Sequence, residues 1–196
     1  KRMNEYLKQT GRDVLREQEI KDIEKKFGIN VKDKFYPLVE NEVCFSVINS
    51  ISLIEEPSYY TVIGLKSQSA GILELENILR SISVKTGKQS YEYKSEIIID
   101  SKTTIPCYKL PFKNLPSLLF GDMFGKCSGE YICFVNNFMV LSDSKKSLHK
   151  FAYDAILNKT IATNIEHSLF LDNFSNKSIL FTYYSFFEGQ SLLFNY

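Results

Sequence analysis

Apolar residues recur at three- and four-residue intervals in Ile20, Ile23 and Phe27, with Arg16 and Glu19 beside them. That spacing predicts a helix over 12–27, with Gly28 as its C-cap. Residues 1–11 are polar and are expected to fray. The segment NVKDKFYPLVEN, 30–41, reads as a loop, with Pro37 barring a regular element. The pattern then shifts to β-branched and aromatic runs. EVCFSVIN at 42–49 and YYTVIGLK at 59–66 predict two strands, broken by Glu55-Glu56-Pro57-Ser58. Helical spacing returns over 69–84 with Ile72, Leu75, Leu79 and Ile82, and Ser69 is the candidate N-cap.

SYEYKSEIIID at 90–100 predicts a strand whose first half alternates Tyr91, Tyr93 and Ser95 against Glu92, Lys94 and Glu96. One face of that half is therefore expected in water. TIPCYKLPF at 104–112 should pair with it across the turn at Ser101-Lys102, and Pro106 suits an edge or a strand start. NLPSLLFGDMFG at 114–125 predicts a short helix ended by glycine. YICFVNNFMVLSD at 131–143 is the clearest hairpin, because Asn136-Asn137 tolerates positive φ between two apolar runs. Both of its faces are apolar, which predicts a central place in a sheet. Residues 144–157 predict a helix with Leu148, Phe151, Ala152 and Ala155 on one side. A further helical piece is expected over 164–172 and a strand over 178–187, with SLLFNY as its hairpin partner or a stub leading elsewhere.

Short connections make neighbouring strands antiparallel. The order therefore predicts an α+β fold: an antiparallel sheet with helices packed mainly on one face. The expectation is a single domain over 12–196, standing alone or as the N-terminal part of a longer protein. Two strands followed by a helix occur more than once, with no sequence period behind them.

Composition narrows the class. With 196 residues, folding buries roughly 70% of the extended chain's surface. The core then needs neither metal nor disulfide. The 24 basic and 23 acidic residues balance to +1, which argues against a nucleic-acid partner. Fifteen Phe and twelve Tyr are expected to fill a β-rich core. Cys44, Cys107, Cys127 and Cys133 show no C-x-x-C spacing, so no zinc or thioredoxin-type motif arises. Cys44 and Cys133 sit among apolar β-formers and read as small hydrophobes. The thiols are expected to be free, and three pairings exist if all four are oxidised. There is no apolar run long enough to span a bilayer. No signal peptide is visible, but the chain opens Lys1-Arg2-Met3 rather than on Met, so that absence is weak ground for a cytoplasmic address.

The sharpest chemical candidate is Ser142-Asp143-Ser144-Lys145, which fits the S-x-x-K spacing of some serine acyl-transferases. A serine nucleophile also needs a base in contact, an orienting group and an oxyanion hole. Here the companions S-D-N and K-T-G are not arranged as required, and KTG at 85–87 stands alone after a helix. Ser142 to Ser144 lie where a strand becomes a helix, so hydroxyl and carboxylate are expected to cap the first turn. His149 and His167 lack the H-E-x-x-H partners of a metal site. Glu55-Glu56 and the pair Glu74 and Glu76 are local clusters, not acid and base from separate elements. GDMFG at 121–125 matches neither nucleotide-binding glycine motif. The glycosylation matches at Asn158, Asn173 and Asn176 are near chance for this composition. No catalytic, cofactor-binding or metal residue is assigned.

One region carries a resemblance. LFGDMFG, then YICFVNNFMVLSDSKKSLHKFAYDAI, then LDNFSNKSILFTYY at 171–184 follow a pattern of packing residues. An L-F-G-x-x-F turn precedes an apolar hairpin, a serine-capped helix and a phrase L-x-x-x-S-N-x-x-x-Y. Over residues 118–186 this resembles an uncharacterised family of Gram-negative cell-envelope proteins. The resemblance implies a periplasmic domain behind an N-terminal membrane anchor, and it carries no catalytic residues. The expected function is a non-catalytic envelope domain that is structural or binds a protein or peptide. A small-ligand carrier, or a hydrolase whose site is assembled only by the fold, is the alternative.

Overall fold

The computed structural model describes residues 11–48 and 56–159. The expectations for 1–10, for Glu55 and for everything from residue 160 onward lie outside the described residues.

Helix α1 (Arg12–Phe27) buries Ile20, Ile23 and Phe27, the face its spacing predicts, and Gly28 ends it with an N–H on the Glu24 carbonyl at 2.8 Å. The next segment corrects the expected loop. It forms a short helix, α2 (Val31–Phe35), a 3-10 turn (Tyr36–Leu38) and the start of strand β1 (Val39–Ile48). The Asn30 side chain accepts the Asp33 N–H at 3.1 Å, while Glu24 Oε1 accepts the Val31 N–H at 3.0 Å. Val31 and Phe35, one turn apart, are fully buried. Pro37 sits in the first turn of the 3-10 segment, where its missing N–H costs nothing.

Strand β2 (Ser58–Leu65) leads to helix α3 (Gln68–Thr86), capped by Ser67 rather than Ser69. Ser67 Oγ accepts the Ala70 N–H at 3.4 Å, and Ser69 bonds back to Ser67 from inside the helix. The predicted strand at 90–100 is shorter: Ser90–Tyr93 is a 3-10 turn held by the Gln89 N–H on Glu92 Oε1, and β3 spans Lys94–Ile98. Strand β4 (Thr104–Lys109) pairs antiparallel with β3. Pro106 lies one residue before β4 meets β5 (Tyr131–Val135), so its missing N–H falls outside that ladder. Between them sit helix α4 (Leu115–Phe120) and a 3-10 turn (Asp122–Phe124). Strand β6 (Phe138–Ser142) and helix α5 (Lys145–Ile156) complete the described elements.

The six described strands form one antiparallel sheet in the order β1-β2-β6-β5-β4-β3. The β5–β6 hairpin turns at Asn136, whose φ is +52°, and occupies the centre as its two apolar faces require. On one face Ile132, Phe134, Met139 and Leu141 join the buried side chains of α1, α2, α3 and α4. Cys133, Val135 and Val140 alternate to the other face, where Leu148 and Ala152 of α5 cover them. The fold is thus α+β with helices mainly on one face. Chain order contains three successive units of two strands and a helix: β1β2α3, β3β4α4 and β5β6α5.

Gly129 sets the approach to β5. Its φ is +65°, and a Cβ there would lie 2.5 Å from Pro116 Cδ. Gly129→Ala is expected to cost at least about 2 kcal/mol through left-handed strain plus overlap. Gly87→Ala, at φ +71° with open space around it, should cost about 1–2 kcal/mol. Urea denaturation of the two variants side by side checks the difference.

Candidate functional site

The cluster at 142–149 resolves into separate structural tasks. Ser142 is fully buried, and its hydroxyl donates to the Tyr59 carbonyl at 2.8 Å. Asp143 does not cap α5. Its Oδ1 accepts the Ser128 N–H and ties the loop before β5 to the end of β6. Only Ser144 caps, accepting the Ser147 N–H at 3.1 Å. Its hydroxyl also meets that of Ser147 at 2.9 Å, and Ser147 in turn meets Ser58 at 3.2 Å. Lys145 is exposed at the first helical position. A nucleophile at Ser142 would be sealed in the core with its proton already engaged.

His149 is exposed, with Nε2 3.1 Å from the Ile98 carbonyl and its ring stacked on Tyr153. Among the described residues, no group of three or more His, Cys, Asp or Glu side chains is placed to hold a metal ion. No described helix is long and apolar enough to cross a membrane. The α3 carboxylates are paired: Glu74 with Lys34 at 2.8 Å, and Glu76 with Lys94 at 2.7 Å. Glu76 Oε1 also accepts the buried Tyr108 hydroxyl at 2.9 Å. The Lys94 hydrogen bond, followed by that of Tyr108, holds the Glu76 carboxyl below its usual range. Burial first, then the Glu76 contact, pushes the Tyr108 phenol up.

Two concave places are formed by the described residues. The first is a cleft of about 230 Å³ between α1 and α4. Successive turns of α1 bring Arg12, Leu15, Arg16 and Glu19 to one side. Ser117, Leu118 and Asp122 form the other wall. Arg12 reaches Asp122 at 2.9 Å, and Glu19 accepts from Asn114 Nδ2 at 3.1 Å. Arg16 differs from its neighbours because its Nε is buried without a hydrogen-bond partner among the described residues. Beside it Leu15 is 72% exposed, and Met123 past the rim is 64% exposed. The second is a groove of about 320 Å³ lined by Glu40, Glu42, Gly64, Leu65, Asn137 and Phe138, at one end of β1, β2 and β6.

Sequence reasoning did not single out the α1–α4 cleft. It noted Arg16 and Glu19 only as flanks of the buried face. The one available signal was Leu15 at polar spacing, and it gains meaning only once α4 lies opposite. No family model, no curated protein and no solved structure matches the chain.

Ser144→Ala is expected to lower stability by about 1 kcal/mol through the lost cap, which a thermal melt reads directly. For Glu76 the sign follows from its depressed carboxyl. The stabilisation is present above the unfolded pKa and disappears as pH falls through the folded one. Between about pH 5 and pH 3, urea midpoints of Glu76→Gln should therefore fall less than those of the parent chain.

Proposed function

We propose that the chain is a non-catalytic cell-envelope domain that binds a protein or peptide, with the α1–α4 cleft as its docking place. The observation that carries this reading is the buried, unpartnered Nε of Arg16 beside the exposed Leu15. A guanidinium carries five donors in a rigid fork and takes carboxylates in two-point contacts. An apolar side chain next to a carboxylate, at a peptide terminus or on Asp or Glu, is the ligand chemistry that matches both residues. Arginine beside apolar surface is also the usual composition of an interface centre. A cleft of about 230 Å³ suits one side chain better than a whole small molecule, which favours the binding reading over a carrier. The hydrolase reading draws no support from Ser142, whose hydroxyl is engaged in the core. The envelope address rests on the resemblance over residues 118–186.

The test is cross-linked capture from Gram-negative envelope extract, comparing the parent chain with Leu15→Asp and Arg16→Ala. A specific partner should be held by the parent and retained at least about tenfold less by both variants, with their melting temperatures close to the parent's. Equal retention by the variants, or repeated capture of nothing, would remove the proposal.

A further inference from the structure

Cys107 on β4 and Cys133 on β5 are direct partners in the ladder. The phase of that ladder follows from the Leu110 N–H, which bonds the Glu130 carbonyl at 2.7 Å. Bonded and non-bonded pairs alternate along antiparallel strands. Tyr108–Ile132 is therefore a bonded pair and Cys107–Cys133 a non-bonded one. Non-bonded pairs bring Cα atoms to about 4.5 Å and their side chains closest together. That separation falls inside the range of about 4.4–6.8 Å that a disulfide accepts. Both thiols are free and leave the sheet on the same face, beneath Leu148 and Ala152 of α5. The other two cysteines are placed elsewhere. Cys127 belongs to the core on the opposite face and points its thiol at the Leu141 carbonyl, 3.6 Å away. Cys44 is exposed on β1 opposite Val62.

The two thiols are not equivalent. Burial, with a smaller contribution from Cys107, pushes Cys133 up to about 12. Burial also raises Cys107, but the Ser95 hydroxyl and the Lys145 ammonium group oppose that rise. With α5 seated, burial keeps both thiols protonated, so the pair is reactive only while α5 is away.

We infer that Cys107 and Cys133 form a redox-convertible pair that closes as a cross-strand disulfide in an oxidising compartment, before α5 seats over them. The oxidant is a small-molecule disulfide such as glutathione disulfide. One thiol of the pair loses its proton and attacks one sulfur, forming a mixed disulfide and expelling one thiolate, which takes up a proton. The other thiol then loses its proton and attacks the protein sulfur of the mixed disulfide, and a second small thiol leaves. The protein gives up two electrons and two protons, and the small disulfide becomes two thiols. The inference is independent of the docking cleft and does not require the envelope address: in a reducing compartment the pair stays open.

The test uses the full chain, unfolded with reductant and refolded by dilution into buffer with either glutathione alone or glutathione plus its disulfide. Remaining thiols are trapped with iodoacetamide and the chain is digested with trypsin. The oxidised sample should join peptide 103–109 to peptide 127–145. The link should persist in Cys127→Ala and vanish in Cys133→Ala. The linked chain should melt roughly 5–10 °C above the reduced one. Alkylation of both Cys107 and Cys133 after oxidative refolding would overturn the inference. So would a link running through Cys127, or a linked chain that melts below the reduced one.

Discussion

The β5–β6 hairpin carries apolar side chains on both faces, and a single layer of helices can bury only one of them. Ile132, Phe134, Met139 and Leu141 face the layer of α1 to α4, while Cys133, Val135 and Val140 face away from it. Each such side chain gains about 1.5–3 kcal/mol on full burial, so leaving the second face wet would forfeit several times that. Placing the hairpin at the sheet centre and seating α5 on the far side meets the requirement. The three residues that link β6 to α5 enforce that seating. Ser142 ties the strand end to β2 through Tyr59, Asp143 ties it to the loop before β5 through Ser128, and Ser144 opens the helix. Three adjacent polar side chains, bonded in three directions, aim α5 across the sheet.

The same economy runs through the other polar groups. Glu76 joins α3 to the sheet by accepting from both Lys94 and Tyr108. The Tyr60 hydroxyl reaches the Ser147 carbonyl and ties β2 to α5. Groups that in a list of residue types suggest acid, base or nucleophile are satisfied by architecture, because buried polar atoms without partners are costly. Among the described residues Arg16 Nε, Thr61 Oγ1, Tyr93 Oη and Ser128 Oγ are buried without a hydrogen-bond partner, and of these Arg16 lines a cleft where neighbouring charges are already paired.

Symmetry of chain order does not translate into symmetry of space. The three units of two strands and a helix share an order of elements, yet α3 and α4 lie on one face and α5 on the other. The apolar content of the strands explains the difference. β3 is mostly exposed, with Ile97 its one buried residue, so it asks for less cover than the central hairpin does.

The local elements were readable from neighbouring residues, because periods of two and 3.6 residues are written in adjacent positions. Helices α1, α3 and α5, the antiparallel pairing of β3 with β4, and the central β5–β6 hairpin were all legible that way. The cap at Ser144 was legible too. Helix α2 was not, since five residues hold too few turns for a period, and it depends on Glu24 and Asn30 to hold its first amides. Only the folded arrangement brings β6 against β2, carries α5 to the far face, sets Arg16 against α4 and places Cys107 opposite Cys133. Each of these joins residues far apart in the chain, and such pairings follow from how whole faces are buried together, which no local pattern specifies.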